Sequence, residues 1–250
     1  MTLPFVSCLC PTYGRPSHEG GLRLLSEAIE CFLAQDYPSD RRELIVLNDC
    51  PAQDLWTLHQ YPGLKLFNLD HRVPALGEKY NVMVRDLAQG EILLPWEDDD
   101  LSLPWRISQA VERLQGGYGY FNPQRSWFFV DGAYHADHSH GYCHNASAFT
   151  REAFDLTGGY PAISGAQDAV MDQRLKWVSP VAPRLSDDPN EWSYVYRWGM
   201  QPYHLSGFKD PEDFYGRHGE AKQTPGVFRI PLGPTPETPK TIGRREKTAC

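Results

Sequence analysis

The sequence predicts an α/β protein with a mostly parallel central sheet flanked by helices and a smaller mixed sheet at its side. Three features of the chain carry that prediction. Short apolar runs alternate with amphipathic stretches through the first half, as strands and crossover helices do. Several of these runs end in turn-forming residues. After Gly117 the pattern changes to aromatic stretches of period two, which suits antiparallel or mixed strands.

Taken in order, Phe5 to Cys10 is short, apolar and stopped by Pro11, so it reads as a buried strand. Leu22, Leu25, Ala28, Ile29 and Phe32 recur at helical spacing and give one apolar stripe. Glu43 to Leu47 is a second strand, ended by the turn formers Asn48-Asp49-Cys50-Pro51. Leu64 to Leu69 is a third. Tyr80 to Leu87 fits a helix ended by Gly90, and Glu91 to Trp96 is a fourth strand that runs straight into an acidic cluster.

Ser102 with Pro104 then marks a helix start, with Ile107, Ala110, Val111 and Leu114 as its buried face and Gly116-Gly117 as its stop. Trp127 to Val130 alternates like a sheet strand. Thr150 to Leu156 and Asp168 to Trp177 read as short helices. Beyond Phe208 the chain turns to Pro, Gly and charge without periodicity, so residues 209–250 are expected to form an extended or partly disordered tail.

Charge excludes one class of function. The 250 residues carry 24 basic and 32 acidic side chains, a net of −8, which lacks the positive field that holds a nucleic-acid backbone. With 22% charged and 12% aromatic residues the chain is also far from the profile of a disordered protein. No apolar run approaches the roughly 20 residues of a membrane helix, and Met1 to Cys10 has no basic, then apolar, leader pattern. A cytoplasmic location is the expectation, with peripheral membrane association through the tail as the alternative. Six cysteines without a CxxC pair read as reduced thiols.

In an open parallel sheet, ligands bind outside the carboxyl ends of the strands. Here those ends hold Pro11-Thr12-Tyr13-Gly14-Arg15, Asn48-Asp49 and Glu97-Asp98-Asp99-Asp100. Consecutive carboxylates repel one another at neutral pH, and a cation with oxygen ligands relieves that repulsion. An isolated acidic run is often just a solvated turn, but this one follows an apolar strand directly, where a solvated face has no reason to begin.

These segments together resemble the inverting glycosyltransferases of family 2, which have the GT-A fold. The matching stretches are Val6 to Pro16, Glu43 to Asp49, Gly77 to Asn81, Glu97 to Pro104, Cys143 to Pro161 and Gln167-Asp168, in the family's order and spanning roughly residues 5–208. The resemblance implies a GT-A domain over 1–208, a Rossmann-like nucleotide-binding half over about 1–116 and an acceptor half over about 117–208. It implies transfer of a sugar from a nucleotide diphosphate sugar, a UDP-sugar by preference, to the hydroxyl of a carbohydrate or other acceptor.

It also implies roles for single residues. Pro11, Thr12 and Tyr13 would cradle the base, with Arg15 near base or phosphate. Asp49 would meet uracil or ribose, although the preceding residue is Asn48 where the family usually has Asp. Lys79 and Asn81 would touch the nucleotide. The family's Asp-x-Asp aligns as Glu97-Asp98-Asp99 or as Asp98-Asp99-Asp100; the spacing to Pro104 favours the first, with Asp99 on the metal and Glu97 and Asp98 on the nucleotide side, while the second makes Asp100 a ligand. Mg²⁺ or Mn²⁺ suits such an oxygen site, and His204 would complete its shell or meet the diphosphate.

An inverting transfer needs a base to take the acceptor proton, and the resemblance gives that role to Asp168. Family members commonly have Glu-Asp where this chain has Gln167-Asp168, so the carboxylate that helps orient the acceptor is an amide here. Asp172, one turn on, is the weaker candidate. Arg197 would face phosphate and Trp198 or Trp192 an acceptor sugar. His135, His138, His140 and His144 with Cys143 fit no compact zinc spacing and read as a histidine-rich loop beside the acceptor cleft. Two other readings are a non-catalytic nucleotide-sugar or carbohydrate-binding module of the same fold and a sugar nucleotidyltransferase, although the glycine-rich basic signature of the latter is absent.

Overall fold

The computed structural model describes residues 2–14, 21–53, 55, 61–130, 133–138 and 143–198. Arg15, His140, His204 and the 209–250 tail lie outside them.

Two sheets make up the fold. Strands β1 (Val6–Thr12), β2 (Arg42–Asn48), β3 (Leu64–Asn68) and β4 (Ile92–Pro95) are parallel, in the order β3-β2-β1-β4. Two antiparallel strands, β6 (Tyr120–Phe121) and β9 (Ala148–Thr150), complete a six-stranded sheet β3-β2-β1-β4-β9-β6. The second sheet, in the order β5-β10-β7-β8, is mixed: β5 (Leu101–Ser102) and β8 (Ala133–His138) run antiparallel to their neighbours, and β10 (Tyr194–Arg197) runs parallel to β7 (Arg125–Val130). The expected class is the observed one.

The helices are α1 (Gly21–Leu33), α2 (Leu76–Val82), α3 (Arg106–Arg113), α4 (Arg151–Thr157) and α5 (Gln167–Val178), and α2 continues as a π turn over Met83–Leu87. One large core lies between the central sheet, α1, α3 and the second sheet, with Cys8, Phe32, Val46, Trp96 and Trp127 among its buried residues. A second, on the opposite face, packs Leu9, Ile45 and Leu93 against Tyr80, Phe154, Tyr160 and Met171. Burying such side chains contributes about 1.5–3 kcal/mol each, so both faces of the parallel strands are apolar, as crossover helices require.

Several boundaries differ from the sequence expectation for identifiable reasons. Pro11 does not stop β1: the strand pairs with β2 as far as Thr12 and Asn48. Its pairing with β4 ends at Leu9 and Pro95, and the Leu9 carbonyl accepts from Trp96 N–H on that side. The missing N–H of Pro11 faces the same way, where the sheet has already opened. The helix expected from Tyr80 begins four residues earlier, at Leu76. Ser102, expected with Pro104 to start a helix, instead forms a short strand with Leu101 against β10, and α3 begins only at Arg106. At α4 the expected boundary holds, because the Thr150 hydroxyl caps the helix by accepting from Ala153 N–H at 3.1 Å.

Candidate active site

The strand order reverses between β1 and β4, and the carboxyl ends of those strands open onto a common edge. Thr12, the last residue of β1, donates its hydroxyl proton to Asp98 Oδ2 at 2.6 Å, bridging the two ends. Next to it the Lys79 ammonium, buried, bonds the Thr12 carbonyl at 2.6 Å and Asp49 Oδ1 at 2.5 Å. Asp49 Oδ2 accepts from Val73 N–H at 3.0 Å. Burial lowers the pKa of Lys79, while Asp49 and Asp98 oppose that shift. Thr12, Asp49, Lys79 and Asp98, drawn from four separated stretches of sequence, thus meet at one place.

Asn48 explains its own departure from the family pattern. Its amide donates to Gln53 O at 2.6 Å and to Asn68 Oδ1 at 2.9 Å and accepts from Cys50 N–H at 3.1 Å, tying the loop after β2 to the end of β3. Arg72, which the sequence reading did not select, stands with its guanidinium 3.3 Å from the centre of the Tyr13 ring and 3.6 Å from Asp49 Oδ1. Its one available signal was its place in the loop after β3, on the same sheet edge as the other strand-end loops.

The four acidic residues do not behave as four equal charges. Burial, with Asp99 and Asp100 as the next contributors, pushes the Glu97 carboxyl up to about 8, although Tyr80 donates to Glu97 Oε1 at 2.8 Å and pulls the other way. Asp98, Asp99 and Asp100 are buried. Asp100 accepts from the Tyr194 hydroxyl and, at 2.7 Å, from Arg197 N–H, which anchors the end of the run to β10. Behind the run lies Arg106, also missed from sequence, a fully buried guanidinium within electrostatic reach of Asp100 and Glu97. Among the described residues no three His, Cys, Asp or Glu side chains gather as a metal-holding group.

Asp168 occupies the first turn of α5, half-buried. Its charge reaches both Tyr160 and His144, and Tyr160 is also within reach of Glu97. Tyr160 in turn stacks on Tyr80 with ring centres 4.8 Å apart. The acidic motif and Asp168 therefore bear on one buried tyrosine. Gln167 is half-buried beside Asp168 and its Oε1 is shielded from solvent. Asp172 belongs to a different network: it accepts from Tyr120 OH at 2.5 Å, Asn122 Nδ2 at 2.9 Å and Lys176 Nζ at 2.5 Å. That is a packing role.

Other expected site residues sit elsewhere. The Asn81 amide is turned to the backbone of Tyr160. The Arg197 guanidinium is buried and pairs with Glu27 of α1. Trp198 packs on Tyr196 beside Phe128 and Val130, and Trp192 is a core residue against Trp127 that donates to Ser186 O at 3.0 Å.

Among the described residues the histidines do not form a loop cluster. His135 is on β8, while His144 is buried, with Nε2 2.8 Å from Tyr160 OH and Nδ1 3.3 Å from Ser147 Oγ. Burial lowers the His144 pKa from 6.5 to about 4, against the smaller opposing pull of Asp168 and Asp172 and with Lys176 adding to the fall. A histidine whose folded pKa is depressed gives its full stability above the unfolded value and loses it as pH falls towards the folded one. Stability measured by urea unfolding is expected to drop by about 3 kcal/mol between pH 6.5 and pH 4 through this group. His144→Gln should flatten that part of the profile.

No protein-family model matches the chain, and no curated protein matches it in sequence. Solved structures do match its fold. TarS residues 1–349 from S. aureus in complex with UDP-GlcNAc superposes with a TM-score of 0.63 at 16% identity over 85% of this chain and 64% of that one. The same protein in complex with UDP gives 0.63, 16%, 85% and 62%. The mannosyltransferase PcManGT from Pyrobaculum calidifontis, in complex with GDP-Man and Mn²⁺, gives 0.55, 21%, 82% and 59%. This chain therefore spans a little under two thirds of the length of each of these.

Proposed function

The chain has the GT-A fold, and we propose that it is an inverting glycosyltransferase of family 2, moving a sugar from a nucleotide diphosphate sugar, a UDP-sugar by preference, to an acceptor hydroxyl. The observation that carries this reading is the meeting of Thr12, Asp49, Lys79 and Asp98 at the carboxyl ends of the parallel strands, where the acidic run begins, with Asp168 half-buried in the first turn of α5. An acid-rich donor end and a separate carboxylate to act as base are what such a displacement requires. The neighbours of the same fold bind UDP-GlcNAc, UDP and GDP-Man with Mn²⁺, which supports a nucleotide-sugar donor.

The acidic run suits a hard divalent ion by donor type alone: it offers carboxylate oxygens, which Mn²⁺ or Mg²⁺ prefers together with diphosphate oxygens, although no three described side chains gather as a ready-made site. Asp99 would hold it, with Asp100 in the other register of the motif and His204 from outside the described residues. When bound, such an ion offsets the charge that builds on a departing diphosphate. Thr12, Tyr13 and Arg72 with the Lys79-held Asp49 form the base and ribose side. Asp168 takes the proton of the acceptor hydroxyl as its oxygen bonds the anomeric carbon, and the bond from that carbon to the diphosphate breaks with its electron pair leaving on the diphosphate.

Among the described residues no helix is long and apolar enough to cross a membrane. The reading is tested by incubating the chain with UDP- and GDP-sugars, with Mn²⁺ and with chelator, and following release of the nucleoside diphosphate. Metal-dependent release of UDP is expected. Tight UDP binding with no release from any donor would favour a non-catalytic binding module, and pyrophosphate release from a nucleoside triphosphate and a sugar phosphate would favour a nucleotidyltransferase.

A further inference from the structure

Three consecutive side chains of α2 reach three different parts of the site. Successive residues of an α-helix are turned by about 100° from one another, so Lys79, Tyr80 and Asn81 fan out over more than half of the helix circumference. Lys79 holds the ends of β1 and β2 through Thr12 O and Asp49. Tyr80 holds Glu97. Asn81 donates from Nδ2 to Tyr160 O at 2.9 Å and accepts at Oδ1 from Tyr160 N–H at 2.8 Å, gripping one residue of backbone from both sides.

The start of the same helix grips the residues that follow. Gly77 N–H donates to Ile163 O at 3.1 Å and Leu76 N–H to Ser164 Oγ at 3.1 Å. That approach requires glycine, because a Cβ at position 77 would stand 1.8 Å from Pro161 O. Gly159, at φ +96°, is needed for a similar reason: a Cβ there would stand 2.5 Å from Asn81 Oδ1. The segment then enters α5 through Ala166, at φ 60°, and Asp168 is the second residue of that helix.

We propose that Asn81 is a positioning residue for Asp168: by clamping Tyr160 it fixes residues 160–166 on α2, and so sets where Asp168 stands relative to the donor-side contacts made by Lys79 and Tyr80. This rests on Asp168 being the base of the reaction proposed above. It also replaces the nucleotide contact that the family resemblance implies for Asn81, since the orientation of the amide is already set by Tyr160.

The test uses the full chain, UDP with Mn²⁺ as the binding probe, and UDP release from the best donor of the panel as the activity. Asn81→Ala is expected to bind UDP within about twofold of the unaltered chain while kcat falls about tenfold or more and the donor KM stays put. In an Asp168→Asn background the same change should cost less than about threefold, since residues acting through one another are not additive. Arg85→Ala is the control for general loosening: it removes a 2.9 Å bond to Gly158 O, just before the clamp, and should leave kcat within about twofold.

A loss of UDP affinity of about tenfold with kcat little changed would make Asn81 a nucleotide contact and overturn the proposal. So would an equal loss of kcat in Arg85→Ala. Should Asp168→Asn leave too little turnover to measure, the affinity-against-kcat split and the Arg85 control decide alone. If the unaltered chain turns over no donor, the functional reading falls and this inference falls with it; a failure in Asn81→Ala alone removes the inference and leaves the reading standing.

Discussion

Asp168→Asn is expected to lower kcat by about 10²–10⁴-fold, the usual contribution of a positioned general base, while UDP affinity in the presence of Mn²⁺ is unchanged. The amide is nearly isosteric and keeps an oxygen that can accept from Ala169 N–H, the 2.9 Å bond that Asp168 Oδ1 makes within its own turn. What it loses is the ability to take a proton. Loss of the negative charge at the start of α5 costs about 0.3–1 kcal/mol in helix-dipole interaction, too little to unfold the chain. Comparable kcat values for Asp168→Asn and the unaltered chain would remove the base from the mechanism, and Asp172 does not stand ready to replace it. Its carboxylate is occupied by Tyr120, Asn122 and Lys176.

Much of the fold was legible because strands of a parallel sheet are buried on both faces and therefore read as short apolar runs. β1, β2, β3 and β4 each fall on one of those runs. What periodicity does not reveal is where two-residue strands such as β5 and β6 pair, since their hydrogen bonds are made with distant partners. The strand-end part of the site was similarly legible: strand-end loops lie on one edge whatever their side chains do, so Thr12, Asp49 and Asp98 could be placed together from topology.

Side-chain direction was not legible. Asn81 and Lys79 lie two residues apart on one helix, yet one grips Tyr160 and the other Asp49, and helical spacing alone does not say which neighbour each will meet. His144 sits in a histidine-rich stretch that suggested a loop, but its ring is enclosed by Tyr120, Phe149 and Tyr160. Arg197 has the chemistry of a phosphate binder, and a glutamate 170 positions away in sequence took it instead.

Arg106→Met is expected to destabilise the chain by about 3–5 kcal/mol, the range for removing one partner from a buried charged network. Arg106 lies at the first position of α3 with its side chain folded under the acidic run, where it is 2% exposed. One Nη donates to Ser102 Oγ at 2.7 Å, and the other to Pro95 O at 2.6 Å and Asn145 O at 2.5 Å. Its guanidinium also lies 4.8 Å from the centre of the Trp96 ring and 4.7 Å from that of Tyr194. Pro95 ends β4 and Asn145 precedes β9, so one side chain ties together the strand that carries the acidic motif and the segment beyond it. Methionine fills much of the volume but leaves two carbonyls without their donor and removes a buried positive charge within electrostatic reach of Glu97 and Asp100. Arg106→Lys restores the charge without the fork of donors, and should recover only part of the loss. Urea unfolding of the three forms at pH 7 measures this directly. A cost below about 1 kcal/mol for Arg106→Met, the level of an ordinary exposed ion pair, would mean that the acidic loop is held by contacts such as those of Thr12, Tyr80, Tyr194 and the Arg197 backbone without help from Arg106.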